Sequence, residues 1–399
     1  MSEWTTIRLG SVVRTNTTSY SPKEGWKYVN YLDTGNITEN VIDAIQHIDL
    51  ENEKLPSRAK RKVQINSILY STVRPNQKHF GIIKSMPKNF LVSTGFAVID
   101  VIPEKADADY LYFWLTQNTV VEQLHAIAEQ SVSAYPSIKA SDIENLEIAL
   151  PPLTVQKSIA SILKSISDKM SHNSSINENL EQQLRSVFME LFSDKIANVE
   201  ANNHRPLGEL VINIDNRGKT PPLETTPTEY PIIDVRALSG TSRIVNYANC
   251  TKFVSAETYS SWFRSGHPKP KDILVSTVGS LAEIKIFLGS KGCIAQNVVG
   301  FRTKDISPYY LYQYLTAIKN DLVAYNIGSV QPSIKVTHII KHPIYIPSTE
   351  ELETFDALAE SATNAIYNNT LESERLAGIR DALIPKLMSG EIDLSEVQF

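Results

Sequence analysis

The chain repeats itself, and this repeat constrains its fold more than any other feature of the 399 residues. Five short blocks occur twice, in the same order, with offsets of 196 to 205 residues between the copies. The pairs are residues 7–10 and 205–208, 68–73 and 273–278, 110–116 and 310–316, 136–139 and 332–335, and 150–151 and 346–347. Because shared composition rarely keeps five blocks in order, the chain is predicted to contain two similar structural units.

Each copy begins with a globular segment, which covers residues 1–150 in the first copy and 198–346 in the second. The blocks at 68–73 (ILYSTV) and 273–278 (ILVSTV) are rich in apolar residues and flanked by polar turns, as is typical of short strands. The blocks at 110 and 310 predict short amphipathic helices. The fold class is therefore predicted to be α+β, with many short strands.

A long helical segment follows each globular one, at residues 151–197 and 347–399. Apolar residues recur there at steps of three and four, close to the 3.5-residue period of a coiled coil. If the copies pack around an approximate two-fold axis, these helices lie antiparallel and act as a spacer. The predicted contact positions are Ile159, Ile162, Ile166, Asn173, Leu180, Leu184, Phe355, Ala362, Ile366, Asn369, Leu376 and Leu383. The same faces include Val155, Met170, Ile176, Val187, Leu191, Leu358 and Ile379.

Local signals define the second long helix and one polar position in each helix. Ser348 and Glu351 form a capping-box pattern, which predicts that the second helix starts there. Pro385 is predicted to end or kink this helix, because proline lacks the backbone N–H that a helix needs. Asn173 and Asn369 occupy equivalent positions in the two copies. Such an asparagine either fixes the register of a coiled coil or faces solvent, and the pattern leaves both open.

The net charge of −5 hides a segregation of charge along the chain. Residues 205–349 carry 16 basic and 10 acidic residues, whereas residues 350–399 carry 3 and 11. Between Glu53 and Asp100 there are nine basic residues and no acidic one. Basic residues that neutralise phosphates supply much of the affinity of proteins for DNA, although a solvated basic loop has the same composition.

Two stretches combine basic residues with side chains that can hydrogen-bond base edges. Residues 74–78 (RPNQK) form a polar turn after a predicted strand, and arginine can bind guanine while asparagine or glutamine binds adenine. Residues 216–220 (NRGKT) and the loop around Ser239 are comparable positions in the second copy. The candidate DNA contacts are Lys54, Arg58, Lys60, Arg61, Lys62, Arg74, Asn76, Gln77, Lys78, Arg217, Lys219, Arg236 and Arg243.

One pattern suggests a catalytic alternative. Asp272, Glu283 and Lys285 have the spacing of the two acidic ligands and the lysine of many Mg²⁺-dependent nucleases. The first copy has serine, lysine and phenylalanine at these positions, so the pattern is not part of the repeat.

Other signatures of chemistry are missing from the sequence. His338 and His342 are four residues apart, but no glutamate follows the first, and the β-branched run around them predicts a strand and not a zinc-binding helix. The sequence contains no phosphate-binding loop and no glycine-rich cofactor fingerprint. No apolar run is long enough to cross a bilayer, and the N-terminus is unlike a signal peptide. We therefore expect a cytoplasmic, non-catalytic binding protein without a cofactor, metal site or membrane partner.

Together these features resemble the specificity subunit of type I restriction-modification systems. The resemblance is carried by residues 65–75 (INSILYSTVRP) and 270–278 (PKDILVSTV), by the helix starts at 150–156 (LPPLTVQ) and 346–350 (IPSTE), and by residues 379–390 (IRDALIPKLMSG). It covers essentially the whole chain. One departure is Val155, because the family usually has glutamate before Gln156.

The resemblance implies two target recognition domains, at residues 1–150 and 198–346. Each would recognise one half of a split target in double-stranded DNA, and the helices at 151–197 and 347–399 would set the spacing. Two methyltransferase subunits would dock on the helices and bring S-adenosylmethionine. Motor-nuclease subunits, with ATP and Mg²⁺, would join for cleavage. The base-contacting residues do not follow from the resemblance, because these domains vary most within the family.

Two other functions stay open on the sequence alone. One is a stand-alone Mg²⁺-dependent nuclease that uses Asp272, Glu283 and Lys285. The other is a helical scaffold that joins two proteins without contacting DNA, in which case reversing the charges of residues 58–62 would leave its activity unchanged.

Overall fold

The computed structural model describes residues 4–131, 135–198, 203–392 and 394. The chain divides into two compact units. Unit 1 contains the described residues within 1–170 and 375–399, and unit 2 contains those within 171–374. Each unit therefore combines one globular segment with parts of both helical segments.

Unit 1 is built from short strands and three short helices. Its strands are β1 (Thr5–Arg8), β2 (Val13–Thr15), β3 (Tyr28–Leu32), β4 (Ile37–Thr38), β5 (Val41–Ile42), β6 (Gln46–Asp49), β7 (Ala59–Arg61), β8 (Ile68–Ser71), β9 (Phe80–Ile82), β10 (Phe90–Ser93), β11 (Phe96–Val101) and β12 (Glu147–Leu150). The helices are α1 (Ala108–Leu115), α2 (Asn118–Glu129) and α3 (Ala140–Glu144). An antiparallel sheet has the order β2-β11-β8-β9, and β1 pairs with β12.

Every residue of β8 is buried, which explains why this predicted strand reads as a continuous apolar run. Successive side chains of a strand point to opposite faces. Ile68 and Tyr70 accordingly belong to one hydrophobic core, which includes the side chains of α1, and Leu69 belongs to a second core. The sheet is therefore covered on both faces.

Unit 2 contains the same sheet. Its strands are β13 (His204–Pro206), β14 (Val211–Ile214), β15 (Ile273–Ser276), β16 (Ile284–Ile286), β17 (Val298–Thr303) and β18 (Pro343–Tyr345). Its short helices are α5 (Leu207–Leu210), α6 (Ala256–Ser261), α7 (Pro308–Ala317), α8 (Lys319–Ala324) and α9 (Val336–Ile339). The antiparallel order β14-β17-β15-β16 matches β2-β11-β8-β9, and the β13–β18 pair matches β1–β12. The predicted repeat and the α+β class are confirmed.

The two units differ in what they add to this sheet. Unit 1 adds a second four-stranded sheet, β6-β3-β10-β7, and the hairpin β4–β5. At the corresponding place unit 2 has two 3₁₀ helices, at Val235–Leu238 and Tyr247–Asn249, together with α6 and isolated β-bridges. The shared sheet is thus combined with different local structures.

Two long helices, α4 (Leu153–Ala197) and α10 (Thr349–Met388), follow the globular segments. The predicted capping box is confirmed, because the Ser348 N–H donates to Glu351 Oε2 at 2.8 Å and the Glu351 N–H donates to Ser348 Oγ at 3.4 Å. The helix does not end at Pro385 but continues to Met388, and the Ser389 N–H donates to the Pro385 carbonyl. Among the described residues, no helix has both the length and the apolar character that crossing a bilayer requires.

Within unit 2 the two long helices run antiparallel. Lys195, near the end of α4, forms an ion pair with Glu351, near the start of α10. One turn or more away, Phe188 packs on Phe355 with ring centroids 5.5 Å apart. Still earlier in α4, Asn173 contacts residues that lie late in this part of α10. The order of contacts along α4 is therefore reversed along α10.

Within unit 1, the first turns of α4 and the last turns of α10 share one hydrophobic core. Ile159 and Leu163 are buried in it together with Leu387 and Met388. This core also contains the α1 side chains, so the helices are attached to the globular part of the unit. The predicted pair of long helices is present in both units.

The contact face of the helices differs from the predicted one at several positions. Of the predicted residues, those buried are Ile159, Asn173, Leu184, Phe355, Ala362 and Ile366, and those half-buried are Ile162, Ile166, Leu180, Asn369, Leu376 and Leu383. The exposed ones are Ile176, Leu358 and Ile379. Buried neighbours that the prediction missed are Leu163, Phe188, Phe192 and Ala359. A straight helix drifts by about 20° per heptad from a 3.5-residue repeat, which moves the contact face by one residue along the chain.

The two equivalent asparagines lie between the helices and not toward open solvent. The Asn173 amide donates to the Asn369 carbonyl at 3.3 Å, to Glu372 Oε2 at 2.8 Å and to Ser373 Oγ at 3.2 Å. The Asn369 amide donates to Asn177 Oδ1 at 2.9 Å. Asn177 and Ser373 are also 196 residues apart, so the two asparagines make related contacts. Of the two predicted roles, the structure favours register fixing.

Candidate nucleic-acid interface

Both units present one edge of the shared sheet as a set of loops. In unit 1, β2 and β8 end at this edge and β9 and β11 begin there, and in unit 2 the equivalent strands do the same. We call it the loop edge and define it as Asn16 with residues 72–79 and 94–95 in unit 1, and residues 215–220, 277–283 and 295–297 in unit 2. Loops at strand ends can change without disrupting the core beneath them.

The predicted base-contacting turn of unit 1 lies at the loop edge. Pro75–Gln77 form one turn of 3₁₀ helix between Arg74 and Lys78, whose backbones are both left-handed, with φ of 48° and 56°. The side chains of Arg74, Asn76 and Gln77 are exposed. The Arg74 guanidinium lies 5.3 Å from the ring of Tyr135. The turn therefore holds one cation and two amides at the surface.

The basic cluster at residues 54–62 includes three exposed side chains, those of Lys54, Arg58 and Lys60. Arg58 is the one attached to the loop edge, because its carbonyl accepts a hydrogen bond from the Thr94 N–H at 2.9 Å. Lys60 lies within β7. Lys54 follows β6, whose last residue lies at the end of the second sheet that is opposite the loop edge. Within the part of the chain that the structure describes, none of the three pairs with a carboxylate.

Other predicted cations of unit 1 are held by internal partners. The Arg61 guanidinium donates to the Asn16 side chain and to the Phe96 carbonyl, and burial lowers its pKa. Lys62 pairs with Glu24 and lies 5.2 Å from the ring of Trp26. Arg61 therefore secures the start of β11 and is not free to contact DNA.

Lys78 lies on the loop edge but already has an acidic partner. Its ammonium is 2.8 Å from Glu39, at the tip of the β4–β5 hairpin. Both groups are substantially exposed, so the pair is worth at most about 1 kcal/mol. A phosphate could therefore compete with Glu39 for Lys78.

In unit 2 the predicted residues Arg217 and Lys219 also lie at the loop edge. The Arg217 guanidinium binds Asp215 through two hydrogen bonds of 2.9 and 2.8 Å. Burial disfavours ionisation of Asp215, but its hydrogen bonds with Arg217 and the charge of Arg217 outweigh this and keep its pKa below the usual value. Lys219 is exposed. Arg236 is exposed as well, but it lies outside the loop edge and donates to Thr251 at 2.6 Å.

The prediction that Arg243 contacts DNA is wrong for this structure, because its side chain is only 1% exposed. The guanidinium donates to Glu181 of α4 at 2.7 and 2.9 Å and to Thr363 of α10 at 2.8 Å. It also lies 4.9 Å from the ring of Tyr312. Arg243 therefore attaches the globular part of unit 2 to both long helices.

The nuclease pattern does not form a site. Asp272 is buried and bound by Arg302 at 2.7 and 3.0 Å, and Glu283 pairs with Lys319 at 2.9 Å. The two carboxylates lie at opposite ends of the β15–β16 hairpin, roughly 13 Å apart for four residues of extended chain. Lys285 donates to backbone carbonyls of the loop before Arg243, and burial lowers its pKa to about 8. These side chains therefore support the structure of unit 2 and do not converge on a metal.

The strand predicted around His338 is also wrong, because Val336–Ile339 form the short helix α9. His342 Nδ1 is 2.9 Å from the Tyr325 hydroxyl, and burial lowers the pKa of His342. In the described ranges, no group of three or more histidine, cysteine, aspartate or glutamate side chains is arranged to hold a metal ion.

A cleft of about 470 Å³ in unit 2 was not predicted. It brings Arg217 together with Lys335, Ser333 and Val278. Lys335 belongs to the repeated block Pro-Ser-Ile-Lys, so the signal that could have identified it was present in the sequence. What the sequence could not show is that this block lies beside the loop after β15.

Comparison with known proteins agrees with this architecture. A family model described as type I restriction modification DNA specificity domain matches residues 1–182 and again residues 201–372. The type I restriction enzyme HindI specificity subunit of Haemophilus influenzae is 24% identical over 470 residues, covering 98% of this chain and 100% of that protein. The MjaIX specificity subunit of Methanocaldococcus jannaschii is 24% identical over 309 residues, covering 73% and 70%. The crystal structure of a type I restriction-modification S subunit from M. genitalium has a similar fold, with a TM-score of 0.57 at 16% identity over 97% and 96% of the two chains.

Proposed function

Since this chain belongs to the family of type I restriction modification DNA specificity domains, which implies recognition of a DNA target, we propose that it recognises a split target with one unit on each half-site. In this proposal residues 1–150 and 198–346 are the target recognition domains, and residues 151–197 and 347–399 are the spacer helices. The chain itself is non-catalytic and acts in the cytoplasm.

The observation that carries the proposal is the contrast between the shared sheet and its surroundings. Two units with the same strand order place different loops on the same edge. A protein with identical halves would recognise a palindrome, as symmetric DNA-binding dimers do. Halves that share a scaffold but differ at the loop edge instead suit a target whose two parts have unrelated sequences.

The residues available for this role are fewer than the sequence suggested. In unit 1 we assign base recognition to Arg74, Asn76 and Gln77, because arginine and amide side chains match guanine and adenine in the major groove. Arg58, Lys60 and Lys78 would contact phosphates. In unit 2, Arg217 and Lys219 are the corresponding candidates, and Arg236 would contact the backbone outside the loop edge.

The long helices would supply the other functions of the subunit. Both α4 and α10 contribute residues to each unit, so a change in helix length would change the distance between half-sites. We propose that two methyltransferase subunits dock on these helices and bring S-adenosylmethionine. Motor-nuclease subunits, which carry ATP and Mg²⁺, would complete the assembly.

The proposal is tested by selection from a randomised duplex library with the purified full-length chain. We expect a target with two short conserved parts separated by a fixed number of unspecified base pairs. Inserting two base pairs between the parts should abolish specific binding. Recovery of no preferred sequence, or of one continuous sequence, would contradict the proposal.

Replacing Arg74 by alanine should then relax one position in only one of the two parts. We expect affinity for the selected duplex to fall by about 1–3 kcal/mol, the value of a bidentate contact between arginine and guanine. The exposed Arg8 in β1 is a matched control. Arg8→Ala removes the same charge, but Arg8 precedes β2, whereas the loop edge begins after β2. A uniform loss of affinity for all sequences would show that Arg74 contacts only phosphate.

A further inference from the structure

The block Pro-Ser-Ile-Lys occurs in both units, at residues 136–139 and 332–335, and makes the same contacts in each. In unit 1 the Ile138 N–H donates to the Thr72 carbonyl at 2.9 Å, and the Arg74 N–H donates to the Pro136 carbonyl at 3.0 Å. In unit 2 the equivalent bonds join Ile334 to Thr277 and Gly279 to Pro332, at 2.8 and 3.0 Å. Each block is therefore fastened to the loop that follows β8 or β15, at the loop edge.

In unit 2 the turn before the block is held by internal hydrogen bonds and a close glycine contact. Asn326 Oδ1 accepts hydrogen bonds from the N–H groups of Gly328 at 3.0 Å and Ser333 at 2.9 Å. A Cβ on Gly328 would lie 1.9 Å from the Gln331 carbonyl oxygen, so only glycine fits this turn. Within this turn Val330 is 98% exposed. The backbone that leads to the lysine of the block is thus held by hydrogen bonds within the chain.

Both lysines of the blocks are exposed. Among the described residues, the ammonium of neither Lys139 nor Lys335 forms an ion pair with a carboxylate, and the Lys139 backbone N–H donates to Asp142 Oδ2 at 2.7 Å. Lys335 lines the 470 Å³ cleft together with Arg217 and Asp215, and Arg217 is already paired with Asp215. Lys335 is therefore the cation of this concave surface that has no carboxylate partner among the described residues. Lys139 follows Ile138 in a block that pairs antiparallel with residues 72–74, so it lies near the end of β8, next to the loop edge. The two lysines are not needed to balance an internal charge.

The two units differ in the residues around these blocks. The loop after β8 contains Arg74, Asn76 and Gln77, whereas the loop after β15 contains Gly279, Ser280 and Leu281. Residues that recognise different bases must differ between the units. A cation that is the same in both units suits the one feature that both half-sites share, which is the phosphate backbone.

We propose that Lys139 and Lys335 are a matched pair of phosphate contacts that place each loop edge on its half-site independently of base sequence. This inference rests on the proposed DNA-binding function. It adds a role for the Pro-Ser-Ile-Lys block, which is the same in both units, unlike the loops after β8 and β15. The ligand of each lysine is a backbone phosphate of duplex DNA.

The test is the salt dependence of duplex binding by the full-length chain and its K139Q/K335Q variant. Each phosphate contact contributes about 0.9 to the slope of the logarithm of the binding constant against the logarithm of salt concentration. We expect the double variant to lower the slope by about 1.8 and to bind roughly eightfold more weakly per lysine at 0.1 M salt. The sequence selected from a randomised duplex library should stay the same.

The control variant is K304Q, because Lys304 is exposed and follows β17 at the end opposite the loop edge. It removes the same charge and should leave the slope nearly unchanged. A wild-type chain that selects no split sequence contradicts the proposed function. A wild-type chain that selects one, combined with an unchanged slope or an altered target in K139Q/K335Q, overturns only the inference about the lysines.

Discussion

Units 1 and 2 use the same four-stranded sheet to support different surfaces. Unit 1 adds a second sheet of four strands, whereas unit 2 adds short helices and isolated bridges at the corresponding place. The strands of the shared sheet are buried in both units, so their sequences are constrained by packing. The loops at their ends are not constrained in this way. The difference teaches that one scaffold can carry two different loop surfaces, and in the proposed function these loops would determine which DNA sequence each unit binds.

The units also differ in how they hold the start of the following long helix. In unit 1 the buried Gln156 accepts from the Asp107 N–H at 2.9 Å and donates to the Pro151 carbonyl at 2.8 Å. In unit 2 the capping box of Ser348 and Glu351 takes this place. Val155 is the unit 1 equivalent of Glu351. The departure from the family pattern leaves the start of α4 intact because the Gln156 side chain makes hydrogen bonds there without a carboxylate at position 155.

The largest effect is expected from breaking the ion pair between the buried Arg243 and Glu181 in unit 2. In R243M the Glu181 carboxylate and the Thr363 hydroxyl lose their partner, at a cost of about 3–5 kcal/mol. Hydrogen exchange measured by mass spectrometry should accelerate by about two to four orders of magnitude in β15 and β17. Exchange in β8 and β11 of unit 1 should be unchanged.

The control for this prediction is R236M, which removes an exposed arginine of the same unit. The double variant R243M/E181L should recover part of the loss, because it removes the unpaired carboxylate as well. Unchanged exchange in β15 and β17 would show that the attachment of unit 2 does not depend on this pair, and equal acceleration in both units would contradict an effect confined to unit 2.

A smaller effect is expected from the polar layer between the helices in unit 2. N173D replaces an amide that donates to Glu372 at 2.8 Å with a second carboxylate, which should cost about 1–3 kcal/mol at pH 7. Mutual repulsion raises the pKa of both carboxyls in the folded state. The stability penalty of N173D is therefore absent below the pKa of the two carboxyls in the unfolded chain, near 4. It grows as the pH rises from there through the higher pKa values of the folded state.

Thermal unfolding of N173D at pH 7 and pH 4 checks this sign. The exposed Ser174 offers the control S174D, which adds the same charge at an exposed position of the same helix and should show little pH-dependent loss. A penalty for N173D that is equal at both pH values would contradict the assigned contact with Glu372.

The smallest effect concerns the start of α10, where unit 2 has a charge and unit 1 has Val155. The hydrogen bond from Lys195 lowers the pKa of Glu351 to about 2, from 4.5. A lowered pKa stabilises the fold above pH 4.5, and this contribution is lost as the pH falls toward 2. E351Q should therefore destabilise the protein by about 0.5–1 kcal/mol at pH 7, a value limited by solvent screening, and by progressively less as the pH falls toward 2.

Denaturant unfolding at several pH values measures this difference. E350Q is the matched control, because Glu350 also lies near the N-terminus of the helix but forms no ion pair among the described residues. An E350Q loss equal to that of E351Q would assign the effect to the helix dipole and not to Lys195.

The candidate interface was only partly predictable. The turn at residues 74–78 lies where expected, because its sequence favours a turn regardless of the surroundings. Arg61 and Arg243 were wrong as DNA contacts, because a basic residue in a polar stretch has the same pattern whether it faces solvent or a buried partner. Their partners, Asn16 and Glu181, are 45 and 62 residues away in the chain. No local pattern contains that information.

The sequence by itself determined the repeat, the α+β class and the two long helices, because periodicity and block order are properties of the chain alone. Only the tertiary structure decided which cations are free, which side of the helices is buried and that the Pro-Ser-Ile-Lys blocks join the loop edge. Those outcomes depend on contacts between residues far apart in sequence, where burial and pairing of a charge are determined by neighbours that the local pattern does not name.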